Sequence, residues 1–469
     1  MVQPLTLTLG WLAGAAGGNL LSGDPAMPIG GVTTDTRTLQ RGDFFVALRG
    51  PRFDGNAFVG EAINRGAPGA MVDREFEERA DVLTRAAIVQ VGDTTRGLQD
   101  LARAVRRASG ARVIAITGSA GKTTTKETIA EFLGSRFRVV RNRGNLNNHI
   151  GLPLSLMQLR ERPDVAVMEL GMNHAGEIRT LVAIAEPDVR VWTNVGDAHL
   201  GFFESPEAIA GAKAEILERA DARTLLVCNA DDPRVMARVG GFPGRTLTFG
   251  VAESAAVRAT GIEDRGVDGM RAAVDTPAGR MTMETPLLGR GNLANVLAAI
   301  AVAVDAGVPL DVLAAAAARL RPAEHRGAVH RLKGGITLID DSYNSSPMAL
   351  HRALEVVARE TRATRRVAVL GEMLELGQAS TGLHEACGRA AADAGLRLLF
   401  AIGARPARAL ANAAIAAGMP ASAVTHVERS EQAADQVTRA LRAGDLVLVK
   451  GSRGIRTDLV VDRIVAEFA

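Results

Sequence analysis

Aromatic side chains are almost missing from this sequence, with one tyrosine, two tryptophans and thirteen phenylalanines in 469 residues. The cores must therefore be filled by Leu, Val, Ile and Ala. No basic tract is interleaved with rings, so nucleic acid is not an expected partner. Cysteine is as scarce. Cys228 and Cys387 lie far apart and form no metal-ligand spacing, which suits a reducing, cytoplasmic setting. The chain also lacks a strong charge of either sign: 55 Lys and Arg stand against 52 Asp and Glu, a net charge of +3. That balance is compatible with small anionic substrates. The apolar stretch LTLTLGWLAGAAGGNLL has no basic leader and is too short and glycine-rich to span a bilayer. It reads as a strand and a short helix, and membrane insertion is not expected.

What is present is length, and with it more than one core. Residues 1–109 hold short strands and turns with one helix, then the amphipathic connecting helix GLQDLARAVRRASG (97–110). Residues 110–320 alternate strand-like runs (VIAIT, VAVMEL, VRVWTNV, TLLVCN) with helical ones, the signature of a doubly wound parallel sheet. The apolar helices GNLANVLAAIAVAVDAG and DVLAAAAARL follow. Residues 321–469 repeat the alternation on a smaller scale (ITLIDDS, RVAVLGEM, RLLFAIGA, DLVLVKGSR).

The strongest local signal is VIAITGSAGKTTTKETIAEF, Val113 to Phe132. A buried β-branched strand runs into a glycine turn, Gly118-Ser119-Ala120-Gly121, and then a helix. That arrangement aims backbone N–H groups and a helix N-terminus at phosphate. Lys122 is placed to reach the outer phosphates of ATP, and the hydroxyls of Thr123 and Thr124 open the helix. The usual loop wants glycine where this chain has Ile116, so the motif is a shortened G-x-x-G-K-T.

Polar residues gather at the ends of other strands. Glu169 closes VAVMEL, and Asn194, Asp197 and His199 follow VRVWT. Glu169 is a candidate ligand for Mg²⁺, which prefers oxygen and shares its site with phosphate and water; His199 is a less usual one. Lys213, on the helix after His199, is by itself an ordinary solvated lysine. Asn292 and Asn295 share a helical face and suit an adenine edge, unless Asn292 is a helix cap. Arg326 is suited to a γ-phosphate and to charge developing in phosphoryl transfer. Asp340 and Asp341 end a strand, where a carboxylate holds ribose hydroxyls or caps a turn. Lys450, Ser452 and Arg453 end the last strand, where they can anchor a carboxylate.

Taken in order, TGSAGKTTTKE, GNLNNHIGLP, MELGMNHAGEI, TNVGDAHL, AKAEI, GNLANVLAA, IDDSYNSSPMAL, LGEMLELG and VKGSRG resemble the Mur ligases of peptidoglycan synthesis across nearly the whole chain. The N-terminal TTDTR segment is similar to the UDP-binding domain of the later members. The C-terminal motifs resemble the member that adds D-alanyl-D-alanine to UDP-N-acetylmuramoyl-tripeptide.

The resemblance implies three α/β domains: a UDP-binding unit (1–109), a central P-loop ATPase unit (110–320) and a Rossmann-like unit (321–469). It implies ATP-dependent amide formation through an acyl phosphate, giving the pentapeptide precursor, ADP and phosphate, by a cytoplasmic monomer. By the same resemblance Lys122 binds the β/γ-phosphates, Thr123 and Glu169 bind Mg²⁺, and His199 sits at a second Mg²⁺. Lys213 is expected to be carbamylated and to act as a metal ligand. Asn292 and Asn295 take adenine, Arg326 the γ-phosphate and Asp341 the ribose. Thr34, Asp35, Thr36 and Arg37 belong to the uridine-nucleotide site, with Asn147 and Asn148 also toward substrate. The chain departs from the family pattern at Asn56, His149 and Gly291. The nearest alternatives are the preceding ligase, which adds the third amino acid, and a folylpolyglutamate synthetase-like ligase.

Overall fold

The computed structural model describes residues 3–51, 53–76, 83–197 and 200–469. The first described residues do not form a strand of a sheet. Residues 3–7 are extended, an isolated bridge joins Thr8 to Pro28, and helix Leu9–Ala15 follows with the Thr8 hydroxyl accepting from the Trp11 N–H. A threonine at that position satisfies one of the orphan donors of the first turn. The first sheet runs in the order Asn19–Ser22, Ala87–Gln90, Gly69–Val72, Phe44–Val46, Val32–Thr33, antiparallel only at its first pair.

Helix Thr94–Ser109 leads out of this unit. The Asp93 side chain caps it and Gly110, at φ +71°, ends it. Its Leu98, Leu101, Ala102 and Val105 are buried in one continuous core. That core also takes Leu9 and Leu12 from the first unit and Leu152, Leu156, Ile178 and Leu181 from the second. The segment read as a connector is therefore a shared wall.

The second unit is built on a nine-stranded sheet. Its order is Gly279–Thr285, Met270–Thr276, Val257–Asp264, Arg245–Gly250, Leu225–Asn229, Val189–Trp192, Arg112–Thr117, Val165–Glu169, Val139–Arg141. The last seven are parallel, and the first three form an antiparallel meander. Side chains alternate across the central strand: Ile114 and Ile116 face helices Lys122–Gly134 and Gly289–Asp305, while Val113 and Ala115 face the shared core. After Val165–Glu169 the chain crosses over Arg112–Thr117 to continue at Val189–Trp192. The carboxyl end of Arg112–Thr117 is thus the switch point, where open α/β sheets bind ligands.

The third sheet runs Ala328–Arg331, Thr337–Asp341, Asp445–Lys450, Arg365–Gly371, Leu398–Ile402, Val424–Val427, parallel apart from its first pair. It docks on the second unit through a small apolar contact in which Val267 and Leu288 join the third unit's core. Polar contacts ring it. Glu360 accepts from the Val267 N–H and from the Arg362 guanidinium, which also reaches Asp268 at 2.6 Å. Arg359 pairs with Asp264, and the Gly201 N–H donates to the Glu375 carbonyl. Both cysteines are free and buried, and burial pushes each thiol up to about 12.

The hydrogen bonds from Arg362 hold the Glu360 carboxyl down to about 2 from its usual 4.5. A depressed carboxylate stabilises above its unfolded value, and that contribution is lost as pH falls through the folded one. Wild type should accordingly exceed Glu360→Gln in urea midpoint at about pH 6, and the gap should shrink steadily below about pH 4. A gap that stays constant into strong acid would remove Glu360 from the docking contact.

Candidate active site

At the switch point the turn Gly118–Gly121 is shaped by two glycines at positive φ that lie close against neighbouring side chains. A Cβ on Gly118 (φ +153°) would lie 1.9 Å from the Thr193 hydroxyl, and one on Gly121 (φ +82°) 2.2 Å from the Asn295 carboxamide oxygen. The neighbouring strand end clamps the loop. The Ala120 N–H donates to Asn194 Oδ1, Asn194 Nδ2 donates back to the Ala120 carbonyl, and the Ser119 N–H donates to the Asn194 carbonyl. Lys122 Nζ donates to the Gly118 carbonyl at 2.8 Å, folding over the loop it follows.

Glu169 is buried at the end of its strand with both oxygens engaged. The Thr123 hydroxyl donates to Oε2 at 2.7 Å and Asn147 Nδ2 to Oε1 at 2.8 Å. Its backbone is fixed by Asn142, which accepts the Glu169 N–H and donates to the Glu169 carbonyl. The Asn142 carbonyl in turn accepts from the buried Lys126 Nζ at 2.7 Å. Asn142 and Lys126 escaped the sequence reading. An asparagine in a glycine-rich loop and a lysine on a helix carry no local mark of burial.

The lysine read as solvated is not. Lys213 is 1% exposed, on helix Pro206–Ala214, and forms no ion pair among the described residues. Burial, then the charge of Lys122, pushes its ammonium well below the ordinary lysine value. Burial lowers Lys122 as well, opposed by Glu169 and assisted by Arg326. Lys122 thus feels the charges of Glu169 and Arg326, and Lys213 that of Lys122, although these groups come from distant parts of the chain.

A cavity of about 170 Å³ opens between the second and third units, from Ser119–Gly121 to Arg326, Asp341 and Lys450. Asn292 and Asn295 line it together. Asn295 Nδ2 donates to Asn292 Oδ1, and Asn292 Nδ2 donates to the Leu288 carbonyl inside helix Gly289–Asp305, so Asn292 is not a cap. The Arg326 guanidinium stacks on the Tyr343 ring at 4.2 Å. Lys450 Nζ donates to Asp341 Oδ2 at 2.6 Å and to the Asn344 carbonyl. Ser452 is tied to the 372–374 loop through the Leu374 N–H. Arg352 also lines the cavity, and a Cβ on Gly291 would lie 3.0 Å from its Cδ, so the missing side chain at 291 leaves room for that arginine.

Other residues fall elsewhere. Thr34, Asp35, Thr36 and Arg37 follow a strand of the first sheet and do not line the cavity. Arg37 pairs with Asp35 at 2.6 Å and holds that carboxyl down to about 2. Asn148 Oδ1 accepts from the Ile150 and Gly151 N–H groups, capping the next helix. His199 lies outside the described residues. Among those described, no three His, Cys, Asp or Glu side chains converge as a metal site.

Gly121→Ala should lower stability by about 1–3 kcal/mol, from the left-handed backbone and the Asn295 contact together. In an Asn295→Ala background the same change should cost less, measured by urea unfolding of all four proteins. An equal cost in both backgrounds would mean that the Asn295 contact yields freely.

Comparison with known proteins agrees with this geometry along the whole chain. The description "Mur ligase family, catalytic domain" matches residues 28–106, "Mur ligase middle domain" 116–303, and "Mur ligase, glutamate ligase domain" 325–453. The UDP-N-acetylmuramoyl-tripeptide--D-alanyl-D-alanine ligase of Bacillus subtilis (strain 168) is 32% identical over 450 residues, 93% of each chain. MurF from Acinetobacter baumannii superposes with a TM-score of 0.88 at 29% identity, over 99% of this chain and 100% of its own. MurF ligase from Thermotoga maritima in complex with ADP gives 0.82 at 29%, over 93% and 97%. The chain belongs to the Mur ligase family.

Proposed function

We propose that this chain joins D-alanyl-D-alanine to UDP-N-acetylmuramoyl-tripeptide at the expense of ATP, yielding the pentapeptide precursor, ADP and phosphate. The observation that carries this is the cavity that sets the phosphate loop against Arg326 of the third unit, whose charge reaches Lys122. Relatives bearing the name of that activity match over nine-tenths of the chain. In this reading residues 1–109 hold the UDP-substrate, 110–320 hold ATP, and 321–469 close over both, in a monomer. Thr34, Asp35, Thr36 and Arg37 contact the uridine nucleotide, with Asp35 ionised throughout the neutral range.

A carboxylate is a poor electrophile, and phosphorylation supplies it with a leaving group. The backbone N–H groups of Ser119 to Thr124 cradle the phosphates, Lys122 takes the β/γ oxygens, and Arg326 the γ-phosphoryl group. Asn292 and Asn295 hold adenine and Asp341 the ribose. The substrate carboxylate attacks the γ-phosphorus and ADP leaves. The dipeptide amine then attacks the acyl phosphate, with loss of phosphate and a proton. Closure of the third unit excludes the water that would otherwise hydrolyse this intermediate.

The donor set fits Mg²⁺. The Thr123 hydroxyl and Glu169 carboxylate, 2.7 Å apart, are hard oxygen donors. Held there, with His199 and a carbamylated Lys213 at a second position, Mg²⁺ would offset the charge of the triphosphate. Asn142 and Asn147 keep the Glu169 carboxylate in place. Carbamylation needs a neutral amine, and the burial of Lys213 beside Lys122 favours one. The amine adds to CO₂, loses a proton and becomes an anion with oxygen donors.

ADP release should be substantial only with the UDP-tripeptide and D-alanyl-D-alanine together. Equal turnover with a UDP-dipeptide and a free diamino acid would transfer the assignment to the preceding ligase. Lys213→Ala should lose most activity, about 10²-fold or more, and short carboxylic acids should restore part of it. Ligation at the parental rate by that variant would exclude the carbamate.

A further inference from the structure

At the opposite, amino-terminal end of the central sheet lies a second cavity, of about 630 Å³, lined by five arginines and three carboxylates. The carboxylates are already engaged. Glu186 is bound by Arg103 and Arg107, and Asp188 by Arg106 and the Val113 N–H. Asp221 accepts from the Arg223 guanidinium, the Arg223 N–H and the Thr224 hydroxyl. That leaves Arg190 and Arg219 without an ion pair among the described residues.

Arg190 is the unusual one. It is 2% exposed, on strand Val189–Trp192, and it lines the cavity. Its Nη1 donates to the Ile216 and Glu218 carbonyls, while its Nε is buried with no partner at all. A buried guanidinium is costly unless it is paired; two carbonyl dipoles do not supply a counter-charge, and Asp221, whose charge reaches Arg190, is already bound by Arg223. Arg219 stands close to the same wall, at φ +58°. Two arginines without an ion pair on the wall of one cavity suit a tetrahedral oxyanion.

We propose that this cavity is a second anion site, taking a phosphoryl group, free or carried on a small molecule, on Arg190 and Arg219. It is separate from the phosphate loop. The two lie at opposite ends of the paired strands Arg112–Thr117 and Val189–Trp192, whose register runs from Val189 opposite Ile114 to Trp192 opposite Thr117.

The test uses the full chain with Lys122→Ala, which weakens phosphate binding at the loop. Inorganic phosphate and glucose 6-phosphate are each titrated by calorimetry. One site is expected in that background, weakened about tenfold or more by Arg219→Ala and by Arg190→Met. Arg219 is exposed and makes no ion pair among the described residues, so its variant decides the matter if Arg190→Met fails to fold. Tighter binding of the sugar phosphate supports a carried phosphoryl group, and equal binding supports the free ion. No binding in the Lys122→Ala background at millimolar concentrations, or binding indifferent to Arg219→Ala, overturns the proposal.

Discussion

The rest of the active site depends on an excess of positive charge that the protein does not neutralise internally. Lys122 stands between Lys213 and Arg326 and repels both, with Glu169 as the carboxylate that favours its charge. Left alone such a cluster is unfavourable, and burial of the two lysines makes it more so. A polyphosphate relieves it. The protein's own groups relieve it only in part, through the Gly118 carbonyl under Lys122 and the Tyr343 ring under Arg326. Both contacts leave the charges in place and hold them ready for an anion.

Geometry turns that excess into selectivity. The cations come from three stretches of sequence, and they converge only because the third sheet is docked over the carboxyl ends of the second. Glycines at 118 and 121 let the loop pass beneath Thr193 and Asn295 with no room to spare. Asn142 and Asn194 fix the Glu169 backbone and the loop through paired donor and acceptor bonds, and Asn147 donates to the Glu169 carboxylate. These neutral brackets add rigidity without adding charge, so the electrostatic imbalance is preserved.

The parts most legible in the sequence were those with short-range causes. The loop 118–123 follows from a strand–glycine–helix order, and Glu169 and Asp341 could be placed because apolar runs stop at them. The edge strands Val139–Arg141 and Val424–Val427 were not legible, being short and only partly buried. Nor was the meander 257–285, where alternating charged residues look like a loop until their cross-strand partners are known. The opening run reads as a strand and a short helix; the helix is there, Leu9–Ala15, capped by Thr8, but residues 3–7 before it are extended without joining a sheet. Lys213 shows the limit most plainly: its helix was correctly placed, but burial depends on which elements pack over it, and one chain's local pattern does not encode that. Asn142, Lys126 and Arg352 escaped for the same reason.

The continuous core that helix Thr94–Ser109 shares between the first two units has a mechanical meaning. The first two units share one apolar core, while the third is held by Val267, Leu288 and a ring of ion pairs. Separating the first pair would expose far more apolar surface than lifting the third unit away. Salt screens ion pairs at a surface far more than it weakens an apolar core. Ionic strength thus acts on the contact between the second and third units far more than on the core that joins the first two.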